Sequence, residues 1–427
     1  MRAARERPLI AFFEYADVFE DFYPHYGVNQ LDFATRWADT GNHAWASLLQ
    51  REIGDVLWYE FSLDPQVGEI RHQVTGCRVK FLLSSWLHRR LWKIFYGPRY
   101  SWSWRFAYPA YAAIASYAAL FSLYFFRALR QDRPDYFFIQ DYASGRFDIL
   151  LMVARLLKIP MVAYHSGSRP EKYVGGFLKR WSIRRAHRLI ASNRAEIEML
   201  ARRYQVPERN LSLILTPIDT DAFKPVDRTA ACRAAGLDPA RRYLIYVGRL
   251  DDRIKRVSAL IRSFAKAVVD QPDYRLLIVG AGADRAKLEE LAKEAAPDQT
   301  AFLGWIKGAA ALAPLYNAAD CLVLPSLSEG FPTVIGEAMA CGTPVLASSV
   351  GGVSELVEEG RTGWLVAPGD EQELGAALHH VMTSPEVVSA MRPQARSMAE
   401  KRVSPVVVAA ALKNCLVKNE SHGSKVR

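Results

Sequence analysis

Short apolar runs rich in β-branched and aromatic residues alternate with helix-period segments along most of the chain, the pattern of strand–helix–strand units that build parallel sheets. In the first half PLIAFF, DYFFIQD, PMVAYHS, HRLIASN and LSLILTP predict strands, with FDILLMVARLLKI and RAEIEMLARRYQV as helices between them. A second series follows the polar, proline-bearing segment TPIDTDAFKPVDRTAACRAAGLDPARR and runs YLIYVGRL, YRLLIVGAG, TAFLGWI, CLVLPSL, TPVLASS and GWLVAP. Two successive doubly wound α/β domains, divided near Pro225, are the most economical architecture. The expected division is 1–222, 223–400 and a C-terminal helix with polar tail over 401–427. Ligands of such sheets bind outside the carboxyl ends of the strands, so two facing Rossmann-like domains would put a reaction in the cleft between them.

At 427 residues the chain exceeds one ordinary domain, and its 50% apolar and 23% charged composition is that of a folded protein. Cys77, Cys232, Cys321, Cys341 and Cys415 show neither CxxC nor Cys/His ligand spacing, which excludes a disulfide framework and fits a reducing compartment. The N-terminal apolar run meets Glu14 too soon for a signal peptide, so a cytoplasmic first strand is expected.

The net charge of +10 matters less than its placement. Met1 to Ile70 holds 5 Lys/Arg against 12 Asp/Glu, whereas 71–130 holds ten basic residues and no acidic one. Within that segment 106–126 is uncharged and long enough to cross a bilayer, but Pro109, Ser116, Ser122 and four tyrosines favour a buried or interfacial helix. Upstream, Trp86, Leu87, Leu91, Ile94 and Phe95 alternate with Arg89, Arg90 and Lys93 at helical spacing. Tryptophan beside basic residues suits an anionic headgroup layer. Peripheral association with the inner face of the cell membrane is the expectation; nucleic acid is the rival partner, and no RNA-binding signature accompanies the charge.

The densest candidate chemistry lies in SEGFPTVIGEAMACGTPVLAS, residues 328–348. Pro332 suits a first helical turn and Gly342 with Pro344 a helix stop, so a helix is expected from about Thr333 to Cys341. Helix starts cradle phosphate, and a carboxylate one turn in, Glu337, can accept two hydrogen bonds from a ribose diol. YVGRLDDRIKRVSALI brings Arg249 and Lys255 to the end of a buried strand, where two cations can neutralise a departing diphosphate. Taken singly, each of these residues reads equally well as a surface charge. Asp219-Thr220-Asp221 spells a metal-binding DxD, and GAGADR holds two glycines of a dinucleotide fingerprint without the third.

With YVGRLDDRIKRVSALI, LLIVGAGADRAKLEELA, AFLGWI, LVLPSLSEGFPTVIGEAMACGTPVLASSVGGVSELV, EEGRTGWLV and PIDTDAFKP, the chain resembles the family-4 retaining glycosyltransferases (glycosyltransferase group 1) of GT-B fold. The motifs span nearly all of 213–380, while the first half resembles the family mainly in pattern. The resemblance implies transfer of a sugar from a UDP- or GDP-linked donor to a membrane-linked or saccharide acceptor, with retention, no cofactor and no obligatory metal. Glu329 and Glu337 match the family's paired glutamates, at donor sugar and ribose; Arg249 and Lys255 match its diphosphate pair. Gly248, Gly330, Phe331, Pro332 and Thr333 match the turns beside sugar and phosphate, Phe302 to Ile306, with Trp305 and Ile306, the segment at the base, and His165 a histidine near the donor sugar. The implied mechanism is front-face transfer in which the leaving diphosphate helps deprotonate the incoming hydroxyl. Where the family often has paired glycines after the first strand, this chain has only Gly27, so Tyr26, Gly27 and Asp141 are the acceptor-side candidates. The same motifs admit a nucleotide-sugar epimerase or an idle nucleotide-sugar binding subunit.

Overall fold

The computed structural model describes residues 5–14, 18–21, 23–35, 37, 41–95, 114–165 and 176–417. Its residues group into two units, Met1–Ile214 with Ala409–Arg427, and Leu215–Val408. This grouping puts 215–222 with the second unit and returns the end of the chain to the first.

The first unit is built on β1 (Leu9–Phe13), β2 (Asp55–Ser62), β3 (Glu69–Arg71), β4 (Arg78–Leu83), β5 (Tyr136–Gln140), β6 (Met161–His165), β7 (Arg188–Ala191) and β8 (Leu211–Leu213). They form one sheet in the order β3-β4-β2-β1-β5-β6-β7-β8, parallel except for β3 against β4. β1 and β5 to β8 fall on the apolar runs that predicted them. β2 to β4 were not foreseen: DVLWYEFS carries two acids, Asp55 and Glu60, and three aromatics where a buried strand would show β-branched residues, yet all but its first residue is buried. Aromatic packing compensates, with Phe12 against Trp58 and Phe138 on one face and Phe13 against Tyr59, Phe125 and Phe137 on the other.

Register aligns Phe12 with Trp58 and Phe13 with Ile139. Continued by one or two residues, it sets Glu60, Glu14 and Gln140 abreast on one face at the carboxyl edge, because lateral neighbours in a parallel sheet share a side.

The second unit is a six-stranded parallel sheet of β9 (Arg242–Val247), β10 (Tyr274–Val279), β11 (Thr300–Gly304), β12 (Cys321–Leu324), β13 (Val345–Ser348) and β14 (Gly363–Val366), in the order β11-β10-β9-β12-β13-β14. All six were legible as apolar runs. The strand order reverses between β9 and β12, so the loops leaving these two strands flank the crevice where doubly wound sheets take ligands.

Of the segment 71–130, residues 96–113 lie outside the described residues, and with them the first part of 106–126. The rest is not one continuous helix. Residues 114–118 are helical, the chain bends, and Ser122, extended at φ −101° and ψ 128° with Oγ donating to Leu83 O at 2.6 Å, starts the helix Leu123–Asp132. Among the described residues no helix is long and apolar enough to cross a membrane.

Candidate functional site

In the second unit Gly248 and Arg249 directly follow β9. The turn is tight because Gly280, at the end of β10, lies against it. A Cβ at Gly280, whose φ is +149°, would sit 1.8 Å from Gly248 O. Arg249 is exposed, and its carbonyl accepts from Tyr246 Oη at 2.8 Å. The short helix Asp252–Lys255 follows, and Arg256 closes it in the left-handed region at φ 54°, held to Glu371 at 2.7 Å. Leu327 N donates to Ile254 O at 2.8 Å, so the loop leaving β12 is tied to the turn that carries Lys255. Lys255 Nζ and Glu329 Oε1 meet at 2.6 Å, a charge-assisted pair with both side chains largely buried.

The loop after β12 is fixed from its other side. Gly352 N donates to Gly330 O at 2.7 Å, and at Gly351, with φ +52°, a Cβ would stand 1.8 Å from Glu329 O. Phe331 and Pro332 are buried, and the helix runs Thr333–Ala340. The start falls where the sequence reading placed it and the end one residue short of Cys341; Pro332 is the extended cap residue at ψ 101°, and Ile335 N donates to its carbonyl at 3.0 Å. At the far end Gly342 N reaches Met339 O and Thr343 N reaches Ala338 O, the paired closure expected of a glycine stop. Glu337 stands one turn into the helix, half-buried, and Oε2 accepts from Tyr316 Oη at 2.8 Å. Tyr316 is buried and keeps its proton, because burial and the neighbouring Glu337 both push its pKa up. It therefore serves as a fixed donor that orients the glutamate. Trp305, past the end of β11, is half exposed, and Ile306 half-buried. Asp219 of the DxD sequence spends Oδ1 on the amides of Asp221 and Ala222, the work of a turn-forming aspartate.

In the first unit His165 ends β6, and Asp141 follows β5 at φ 91°. His165 Nδ1 faces Glu196 Oε1 at 2.5 Å and Nε2 faces Asp141 Oδ1 at 3.8 Å. Tyr142 Oη donates to the same Glu196 oxygen. Burial disfavours the imidazolium, but the hydrogen bond to Glu196, its charge and that of Asp141 outweigh burial and leave His165 more basic than an ordinary histidine. Asp141 also takes the amides of Ala143 and Ser144, at 2.6 and 3.0 Å. Gly27 follows the turn Tyr23–Tyr26 at φ +68°; the Tyr26 side chain lies outside the described residues.

Sequence reasoning missed Tyr142, Glu196 and Tyr316, which orient the predicted residues, and a buried set of Glu14, Glu60 and Arg146. A polar residue within an apolar strand run, such as Glu60 in DVLWYEFS, is the one signal that pointed there.

The basic aromatic segment presents two unusual helix faces. Along Trp86–Phe95 the exposed residues are Trp86, Leu87, Arg90, Lys93 and Ile94, with Arg90 over the Trp86 ring at 5.0 Å. Along Leu123–Asp132 Phe125 and Leu129 are buried while Leu123, Tyr124, Phe126, Arg127 and Arg130 are exposed.

Two family profiles match the chain: "Glycosyl transferases group 1" over residues 241–384 and "Glycosyltransferase Family 4" over 76–222. Among curated relatives, a D-inositol 3-phosphate glycosyltransferase of Rhodococcus opacus is 30% identical over 57% of this chain and 56% of its own length. One of Geodermatophilus obscurus is 33% identical over 60% and 59%. The chain thus matches less than two thirds of these relatives' length. Among solved structures, a sucrose-phosphate synthase of Thermosynechococcus elongatus has a TM-score of 0.73 at 22% identity, covering 97% of this chain and 100% of that one. Anabaena HepE in complex with UDP has a TM-score of 0.69 at 16% identity, covering 96% and 99%. At these identities the likeness shows the fold, which is GT-B. With the ordered motifs on the β9/β12 crevice and both halves matched by profiles of one family, the chain belongs to the group 1, family 4 glycosyltransferases.

Proposed function

We propose that the protein is a retaining glycosyltransferase that moves a hexosyl group from a nucleotide diphosphate sugar to a hydroxyl of a membrane-linked or saccharide acceptor. The observation that carries this reading is the carboxyl edge at β9 and β12, where Lys255 is paired with Glu329 one loop away from Glu337 on the helix start. A diphosphate entering beside Lys255 competes with Glu329 for the ammonium. The donor is thereby exchanged for an internal anion, and Lys255 is never left buried without a counter-charge. Glu337, oriented by Tyr316, takes the ribose diol; the amides at Thr333 and beyond face the phosphates. As the glycosidic bond breaks, charge grows on the diphosphate, and Lys255 with Arg249 stabilises it more in the transition state than in the ground state. Glu329, released from Lys255, turns to the sugar hydroxyls. In the first unit His165 is held by Glu196 as a hydrogen-bond donor for the sugar, and Asp141 belongs to the acceptor side.

The solved neighbour HepE holds UDP, so UDP-linked sugars come first in testing. Two helix faces that mix Trp, Leu, Phe and Tyr with Arg and Lys support work at an anionic membrane surface, as expected of a peripheral enzyme of the inner face. The test is a panel of UDP- and GDP-sugars incubated with native membrane lipid, scored for nucleotide diphosphate release and labelled lipid or glycan. Acceptor-dependent release with retained anomeric configuration is the expected result. An altered sugar nucleotide formed without acceptor would replace transfer by epimerisation, and binding without any turnover would leave only a binding subunit.

A further inference from the structure

Directly after Lys255 the backbone is strained, and a side chain from a distant helix holds it there. Arg256 ends the short helix Asp252–Lys255 and precedes the helix Val257–Ala267 at φ 54° and ψ 36°, a left-handed conformation that a residue with a Cβ adopts at a cost. Its Nη2 donates at 2.7 Å to Oε1 of Glu371, the first residue of the helix Glu371–Thr383. Arg262 grips the same carboxylate as a fork, Nη2 to Oε1 at 2.7 Å and Nε to Oε2 at 3.2 Å. The hydrogen bonds from Arg262, then its charge and that of Arg256, outweigh burial and hold the Glu371 carboxyl below the usual glutamate range. The Arg262 fork by itself ties the two long helices together; the bond from Arg256 adds a hold on the strained residue beside Lys255. The turn that carries Glu371 backs the other half of the site as well. Asp370 caps its helix through the amides of Gln372 and Glu373, both at 2.9 Å, and a Cβ at Gly369, φ +84°, would stand 3.3 Å from Leu327 Cδ2. Leu327 N donates in turn to Ile254 O at 2.8 Å. At the start of the short helix Asp252 N donates to Asp284 Oδ2 at 2.8 Å, and Asp252 Oδ1 accepts from Ser258 N at 2.7 Å. Lys255 thus stands on a turn fixed at its start, middle and end, and Glu371 fixes the end.

We propose that Glu371 is a positioning residue for Lys255: by holding Arg256 in the left-handed region it fixes where the short helix stops, and so where the Lys255 ammonium meets Glu329 and, in its place, the donor diphosphate. The proposal rests on the glycosyltransferase reading and adds to it a residue that acts only through another. Were Arg256 to relax into the right-handed region, Asp252–Lys255 and Val257–Ala267 would run on as one helix, and Lys255 would turn away from Glu329. Such a shift weighs most on a cation that must meet charge as it develops, since a misplacement of about 1 Å by a change far from the chemistry can cost about a hundredfold in rate. Glycine takes the left-handed region at little cost and would keep the turn without a clamp, whereas alanine would not.

Steady-state UDP release from UDP-sugars with native membrane lipid, and calorimetry of UDP against UMP, test the proposal on the full chain. Glu371→Gln should lower kcat about tenfold with KM for the donor within about twofold, the split expected of a misplaced transition-state charge. Adding Arg256→Gly to Glu371→Gln should restore most of kcat, a rescue that a packing role would not give, because the double variant has lost the ion pair altogether. In a Lys255→Ala background Glu371→Gln should cost nothing further. The factor by which UDP binds more tightly than UMP should fall in Glu371→Gln and return in the double variant. Should Glu371→Gln fail to fold by circular dichroism, Arg256→Ala and Arg256→Gly carry the same test: the alanine variant should lose kcat and the glycine variant keep it. Parental kcat and UDP preference in folded Glu371→Gln, no rescue by Arg256→Gly, equal kcat in the two Arg256 variants, or a full further loss in the Lys255→Ala background overturns the clamp. No turnover by the parent with any donor, while the preference for UDP over UMP falls and returns as stated, strikes the glycosyltransferase reading instead and leaves the clamp standing. A parent without that preference overturns both.

Discussion

In the second unit Lys255 meets Glu329 at 2.6 Å and Glu337 is held by Tyr316 at 2.8 Å, whereas in the first Glu14, Glu60 and Arg146 lie in one another's field without an ion pair among the described residues. The paired site folds with its charges already compensated. The unpaired set is held in place by its walls. Tyr23 stacks on Phe19, and Phe33 meets Phe19 and Trp58 edge-on; that packing offsets the cost of acids whose desolvation forbids two full charges.

The largest effect should come from breaking the paired side through its backbone. In Gly351→Ala the new Cβ meets Glu329 O, and neither a φ of +52° nor a carbonyl 1.8 Å away can yield cheaply. A loss above about 4 kcal/mol is expected, read as a large drop in melting temperature together with loss of UDP binding. If the variant melts with the parent and still binds UDP, the loop is not locked in the way described.

The unpaired side should reveal itself through pH. Glu14 is raised from 4.5 to about 7, by burial first, against the hydrogen bonds of Tyr23 and Asn42 and the charge of Arg146. Between those values the folded chain keeps a proton that the unfolded chain has released. Stability therefore falls as pH rises from about 4.5 to about 7 and levels off above, by roughly 3 kcal/mol for this group. Urea unfolding of the parent and of Glu14→Gln across that window should show the slope in the parent and a flatter line in the variant. Parallel curves would mean that Glu14 ionises as freely as in water.

A smaller effect, confined to binding, is expected at Glu337. Glu337→Ala should weaken UDP by about 1.5–3 kcal/mol, the value of a hydrogen bond to a charged group, with the fold intact by circular dichroism. Lys255→Ala should lower turnover more than donor affinity, since its partner charge develops in the transition state. Equal UDP affinity in Glu337→Ala and the parent would remove the ribose assignment.

The smallest effect on stability belongs to the exposed helix faces. Leu123→Ser with Trp86→Ser should leave unfolding within about 0.5 kcal/mol of the parent, because the native state already exposes both side chains. The same pair, or charge reversal at Arg90 and Lys93, should release the protein from anionic vesicles. The electrostatic part also yields to salt, as charges are screened beyond about 10 Å at ordinary ionic strength. Vesicle binding indifferent to lipid charge and to all four changes would rule these faces out.

The second unit was legible almost residue by residue, since each of its strands is a short apolar run closed by a glycine, proline or polar turn and its site residues sit in the loops just after them. The first unit was legible only where its strands are as plain. β2 escaped because Glu60 and its aromatics break the apolar signal, and β4 because Arg78 and Lys80 interrupt it with charges satisfied by Glu69 and Asp132. The uncharged run 106–126 read as one segment, yet the chain is extended at Ser122, whose Oγ donates to Leu83 O, and a new helix starts after it.

By itself the sequence determined the two parallel-sheet units, the helix that starts at Thr333 and bears Glu337, the segments after β9 and β12 that bear Arg249, Lys255 and Glu329, and the one-sided charge of 71–130. Each of these is local, carried by periodicity, turn chemistry or a motif a few residues long. Only the tertiary structure decided that Lys255 closes on Glu329, that Tyr316 aims Glu337, that Glu196 holds His165 and that Glu14 stands beside Glu60. Those pairings join residues far apart in the chain, and strand order, register and the depth of burial that turns a carboxylate into a carboxylic acid exist only once the sheets have formed.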